Sequence, residues 1–177
     1  LLTLAFQVLS QLHVDAQRRA HLAEELSTAA GTVGGMIGGQ VYDLEGEGKR
    51  PTAILLEQIH RAKTGALLRA SVRMGGIYAG ADEAQLEALS RYGEHVGLAF
   101  QIVDDILDVE QSSEQLGKTA GKDAEQHKIT FPAVYGIERS REMAEEERLF
   151  AHTALQPFDE RAERLREVAD LIVRRTA

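Results

Sequence analysis

Ten consecutive residues, Phe100-Gln101-Ile102-Val103-Asp104-Asp105-Ile106-Leu107-Asp108-Val109, constrain this chain more than any others. Read as a helix, they set Gln101, Asp104, Asp105 and Asp108 at i, i+3, i+4 and i+7 on one face, while Leu98, Ala99, Ile102, Val103, Ile106, Leu107 and Val109 cover the rest. A helix that is apolar around most of its circumference is normally buried. Its narrow acidic stripe is therefore expected to look into an internal cavity. Three carboxylates held there repel one another and resist ionisation unless a cation sits among them. Oxygen ligands with no nearby cysteine or histidine select a hard ion, and a cluster this small suits magnesium that shares its shell with phosphates and water. The competing reading, a solvated acidic face, fits poorly with such apolar flanks.

The 177 residues include three prolines and no tryptophan, and alanine, leucine, glutamate and arginine dominate, which favours helices almost throughout. A net charge of −8 with no basic stripe argues against a nucleic-acid partner. The absence of cysteine excludes disulfides and thiolate metal sites and fits a cytoplasmic protein. No apolar run approaches membrane-spanning length and no signal-peptide pattern is present, so no stable membrane insertion is expected. The chain opens on Leu1-Leu2-Thr3-Leu4-Ala5-Phe6, without a cap or polar lead-in, and reads as cut within a helix.

In chain order, an apolar helical run over 1–14 breaks near His13-Val14-Asp15 and leads into a second helix that ends in the acidic, glycine-containing stretch 43–48. Within that helix, Gly34-Gly35-Met36-Ile37-Gly38-Gly39 repeats small residues at i, i+4, for close helix approach or for ligand access. Gln40 and Asp43 extend a polar stripe from the glycines and could support a site from behind its first contacts. Pro51 opens a helix predicted to run from Thr52 to about Met74, where Gly75-Gly76 loosens it. In that helix Lys63-Thr64-Gly65 interrupts an apolar succession, and the lysine alone reads as a side chain reaching out to solvent. Glu57 and His60 have the Glu-x-x-His spacing of di-iron bundles. No second pair accompanies them, so His60 reads as an ordinary exposed residue.

Asp82 and Gln85 form a capping box for the central helix, predicted over 83–110. A loop over 111–127 follows, containing Leu116-Gly117-Lys118-Thr119-Ala120-Gly121-Lys122-Asp123, whose lysines and backbone N–H groups could surround a phosphate. Beyond Pro132 the chain reads as two or three amphipathic helices, the last over about 159–175.

Together, Gly38-Gly39-Gln40-Val41-Tyr42-Asp43, Lys63-Thr64-Gly65, the Phe100-Gln101-x-x-Asp104-Asp105-x-x-Asp108 motif and Gly117-Lys118-Thr119-Ala120-Gly121-Lys122-Asp123 resemble the trans-isoprenyl diphosphate synthases. Within that family they are most similar to the short-chain bacterial farnesyl and geranylgeranyl diphosphate synthases. The resemblance implies an all-α, isoprenoid-synthase-like bundle of mostly antiparallel helices around a central cavity, usually a homodimer. It implies magnesium-dependent condensation of isopentenyl diphosphate with an allylic diphosphate by ionisation, condensation and elimination. Asp104, Asp105 and Asp108 would bind magnesium; Lys63, Lys118 and Lys122 would contact the diphosphate. Thr64 and Gln101 would face the cationic carbon, with Phe100 lining the same region.

A first aspartate-rich motif with its arginine pair, and the basic region expected to bind isopentenyl diphosphate, have no counterpart in these residues. Residues 1–177 therefore read as the carboxy-terminal part of one polyprenyl synthase domain, inactive by itself and silent on product length. Two alternatives compete with the synthase reading. A class I terpene cyclase normally mixes Asn or Asp with Ser or Thr and Glu in its second metal motif, and a non-catalytic subunit of a heteromeric synthase would be expected to lose the acidic stripe.

Overall fold

The computed structural model describes residues 1–48, 52–116 and 129–175, the side chains of 112–116 excepted. Among the described residues the chain is helical and contains no strand. The helices are α1 (Leu2–Ser10), α2 (Ala16–Ala30), α3 (Met36–Gly46), α4 (Ala53–His60), α5 (Ala66–Ala79), α6 (Glu83–Leu116), α7 (Phe131–Tyr135), α8 (Ile137–Ala154) and α9 (Glu163–Arg174).

The 34-residue helix α6 is the axis of the molecule, about 50 Å long at 1.5 Å per residue. The capping box at its start is present: the Asp82 N–H donates to Gln85 Oε1 at 3.0 Å and the Gln85 N–H to Asp82 Oδ1 at 2.8 Å. It continues beyond the predicted boundary near Glu110 to Leu116. Its apolar flanks are covered in two sections. Leu89, Tyr92 and Val96 pack with Ala151, Leu155 and Ala169, while Leu98, Ile102, Val103 and Ile106 pack with Leu56, Ile129, Phe131 and Ala144. Leu56, Ile102 and Phe131 have no exposed surface, and each such side chain contributes about 1.5–3 kcal/mol of burial. The Tyr92 hydroxyl donates to the Leu165 carbonyl at 2.6 Å and ties α9 to the axis; burial pushes that phenol up to about 12.

Two predicted helices are broken in the structure. The expected helix from Asp15 through the glycines divides into α2 and α3, because Gly34 adopts φ +67° and Gly35 lies so close to α2 that a Cβ there would sit 2.5 Å from the Thr28 carbonyl oxygen. The expected helix over 52–74 divides into α4 and α5 around a π-helical turn, Arg61–Gly65. Gly75 and Gly76 stay helical, and α5 ends only at Gly80, in the left-handed conformation.

Candidate functional site

The π turn carries Lys63 and Thr64. Widening one turn by a residue displaces the side chains on it, a device that recurs at functional sites. Here the turn is clasped between two helices at glycines. A Cβ on Gly39 of α3 would sit 2.2 Å from the Lys63 backbone nitrogen, and a Cβ on Gly97 of α6 would sit 2.9 Å from the Gly65 Cα. Close approach therefore accounts for the glycine stretch at Gly39. The clasp also brings Lys63 Nζ to 2.5 Å from Asp43 Oδ2, an ion pair between the turn and α3. Gln40, one residue beyond Gly39, is half-buried on α3.

On α6 the four polar residues of the motif divide into two pairs. Gln101 and Asp105, one turn apart, point inward and are 8% and 9% exposed. Gln101 Oε1 lies 2.8 Å from His60 Nδ1, and Asp105 Oδ2 accepts the Phe131 N–H at 2.9 Å. Asp104 and Asp108, also one turn apart, occupy the open edge: the Asp104 side chain is half exposed and Asp108 is exposed. Asp104 Oδ1 accepts from Arg175 Nη2 at 2.9 Å, and the Arg175 guanidinium lies 4.3 Å above the centre of the Phe100 ring.

The single acidic stripe expected from the sequence is thus two half-stripes, and its three carboxylates do not meet at one point. Among the described residues no group of three His, Asp or Glu side chains is arranged to hold a metal by itself. Asp104 and Asp108 remain an all-oxygen pair at an open edge, a donor set that fits a magnesium ion sharing its shell with phosphate and water. Lys118 and Lys122 lie outside the described residues.

His60 corrects a sequence expectation. It is 6% exposed, not a surface residue, and its ring stacks on Phe131 at 5.4 Å. The signal was present: Leu56, Ile59 and His60 fall at i, i+3 and i+4 on the buried face of α4. Glu57 faces the other way and pairs with Arg61. Arg175 was missed altogether, since nothing local in the sequence links a residue at the end of the last helix to Asp104.

The polyprenyl synthetase family model matches residues 1–172. The chain is 46% identical over 165 residues to geranylgeranyl pyrophosphate synthase 12 of Arabidopsis thaliana, covering 90% of this chain and 46% of that protein. It is 42% identical over 181 residues to the farnesyl diphosphate synthase of Escherichia coli, covering 98% of this chain and 60% of that one. Among solved structures, an FPP/GFPP synthase from Zymomonas mobilis superposes with a TM-score of 0.82 at 32% identity, over 96% of this chain and 57% of that one. A geranyltransferase from Helicobacter pylori, complexed with magnesium and isoprenyl diphosphate, superposes with a TM-score of 0.77 at 30% identity, over 97% of this chain and 56% of that one. The chain spans about half the length of the curated relatives it matches. With a family match across nearly all of its residues, the chain belongs to the polyprenyl synthetase family.

Proposed function

We propose that these residues form the diphosphate-activating, carboxy-terminal part of a synthase that condenses isopentenyl diphosphate with an allylic diphosphate, of the farnesyl or geranylgeranyl type. The observation that carries this reading is the glycine clasp at Gly39 and Gly97, which packs the Lys63–Thr64 turn against both α3 and the helix that bears the aspartates. Asp104 and Asp108 would hold magnesium, and Asp105 would steady the helix behind them. When bound, magnesium supplies Lewis-acid stabilisation of the charge that builds on the departing diphosphate.

Lys63 would exchange Asp43 for a diphosphate oxygen, keeping a charged hydrogen bond throughout. The Thr64 hydroxyl and the Gln101 oxygen would face the allylic carbon as it becomes cationic, with Phe100 beside them. The apolar flanks of α6 would exclude water that otherwise quenches that cation. Lys118 and Lys122 would complete the grip on the diphosphate. A homodimer in the cytoplasm belongs to the same proposal.

The test is a hybrid in which this chain replaces the 60% of the Escherichia coli relative that it matches. With magnesium, geranyl diphosphate and isopentenyl diphosphate, the folded hybrid is expected to release a product one isoprene unit longer, and chelation should abolish it. The 177-residue chain alone should release none. A folded but silent hybrid overturns the elongation reading, and product from the chain alone overturns its assignment as a part.

A further inference from the structure

His60 is a buried histidine without an assigned task, and it meets Gln101, Asp105 and Phe131 at once. It closes α4 immediately before the π turn and stands three residues ahead of Lys63. Nδ1 lies 2.8 Å from Gln101 Oε1; because a carbonyl oxygen only accepts, Nδ1 carries the proton and donates it. Nε2 stands 3.3 Å from Asp105 Oδ2 and makes no hydrogen bond there; the two form an ion pair only when both ring nitrogens carry a proton. The same Oδ2 accepts the Phe131 N–H, and the His60 ring stacks on the Phe131 ring with an interplanar angle of 22°. One side chain thus bridges the turn carrying Lys63 and Thr64, the inward half of the aspartate motif, and the start of α7.

We propose that His60 is the positioning residue of this site: its Nδ1–H fixes the Gln101 side-chain oxygen, and its stacking on Phe131 holds that donor in place beside the π turn. A glutamine side chain on a helix samples several rotamers, and a bond to one oxygen lone pair selects among them. The second lone pair of Oε1 stays available to a ligand. Removing the donor frees the amide without emptying the space if the replacement is another flat ring, so His60→Phe separates positioning from packing. His60→Asn retains a donor near the place of Nδ1.

Two experiments decide it. In 15N-labelled 177-residue protein, the Gln101 side-chain amide pair is identified as the one missing from Gln101→Glu. It should stand apart from the other glutamine pairs, merge with them in His60→Phe, and separate again in His60→Asn. In the hybrid synthase, His60→Phe should lower kcat about tenfold or more with KM for both diphosphates nearly unchanged, and His60→Asn should recover most of the loss. The turnover effect rests on the elongation reading, whereas the amide signal does not, so a silent parent hybrid defeats that reading and leaves the spectrum to decide this one. An amide pair unmoved in folded His60→Phe overturns the proposal. Should His60→Phe not fold, the nitrogen shift of His60 Nδ1 in the parent decides, since an unprotonated Nδ1 has nothing to donate.

Discussion

Adjacent residues on an α-helix point about 100° apart, and α6 uses that angle to give Asp104 and Asp105 different surroundings. Asp105 accepts a buried backbone N–H, and Asp104 meets Arg175 at the half-exposed edge. Asp105→Ala leaves the Phe131 N–H without its acceptor and should cost about 1–3 kcal/mol of folding stability. Asp104→Ala removes an ion pair open to solvent, worth at most about 1 kcal/mol. In the hybrid synthase the order reverses for Asp104, with turnover falling by roughly three orders of magnitude while the helix stays folded. Urea denaturation and steady-state kinetics on the two variants check both halves. Equal destabilisation would refute the inward-outward division, and retained turnover with unchanged magnesium dependence would refute the role of Asp104. The division was derivable in advance. At 100° per residue Asp104, Asp108, Gln101 and Asp105 fall in that order across an arc of about 100°, so the stripe already had two edges. Which edge faces inward depends on what packs there, and Phe131 arrives from 26 residues away.

Elements that looked continuous in the sequence are joined here by glycine contacts rather than by longer helices. Gly39 and Gly75 both sit inside helices, yet only Gly39 is pressed against another backbone; a Cβ at Gly75 meets nothing within 4 Å. Gly39→Ala should destabilise by about 1–3 kcal/mol through overpacking and should shift the π turn that carries Lys63. Gly75→Ala should stabilise by about 0.5–1 kcal/mol by restricting the unfolded chain. Thermal unfolding of the pair distinguishes a contact glycine from a merely tolerated one, and similar melting shifts would dismiss the clasp. The helical class, the capping box at Asp82 and the course of α6 were legible because propensity and caps act locally. The break at the π turn was not, because the glycines that clasp it, Gly39 and Gly97, are distant in sequence; the break at Gly34 is a local contact of Gly35 with Thr28 that a run of glycines does not announce. Apolar periodicity likewise reports that a face is to be covered and not by what: Leu4 and Val8 on α1, and Ile37, Val41 and Leu44 on α3, all remain exposed.

For the molecule as a whole, packing around α6 is supplemented by charged ties between helices that are distant in sequence. The one between α2 and α5 is the most enclosed of the arginine–carboxylate pairs among the described residues: Arg73 donates to Glu25 from both Nε and Nη2, at 2.5–3.0 Å, and also to the Ser90 hydroxyl of α6 at 2.6 Å. The hydrogen bonds from Arg73 hold the Glu25 carboxyl below its ordinary value of 4.5 and outweigh the opposing effect of burial. A carboxyl depressed in the folded state contributes stability that is fully present above its unfolded value and is lost as pH falls through the folded one. Glu25→Gln keeps the shape and removes the titration. Because His21 Nε2 also lies 3.7 Å from Glu25 Oε1 and adds its charge when protonated, the difference in melting temperature between the parent and Glu25→Gln should not fall between neutrality and about pH 4.5, and should shrink on further acidification as Glu25 becomes protonated and Arg73 loses its counter-charge. The change in overall charge from −8 toward positive values affects both proteins alike and cancels in that difference. A difference that persists unchanged to pH 3 would mean that α2 is held to α5 by burial of Leu22, Leu26 and Ala29 without help from the ion pair.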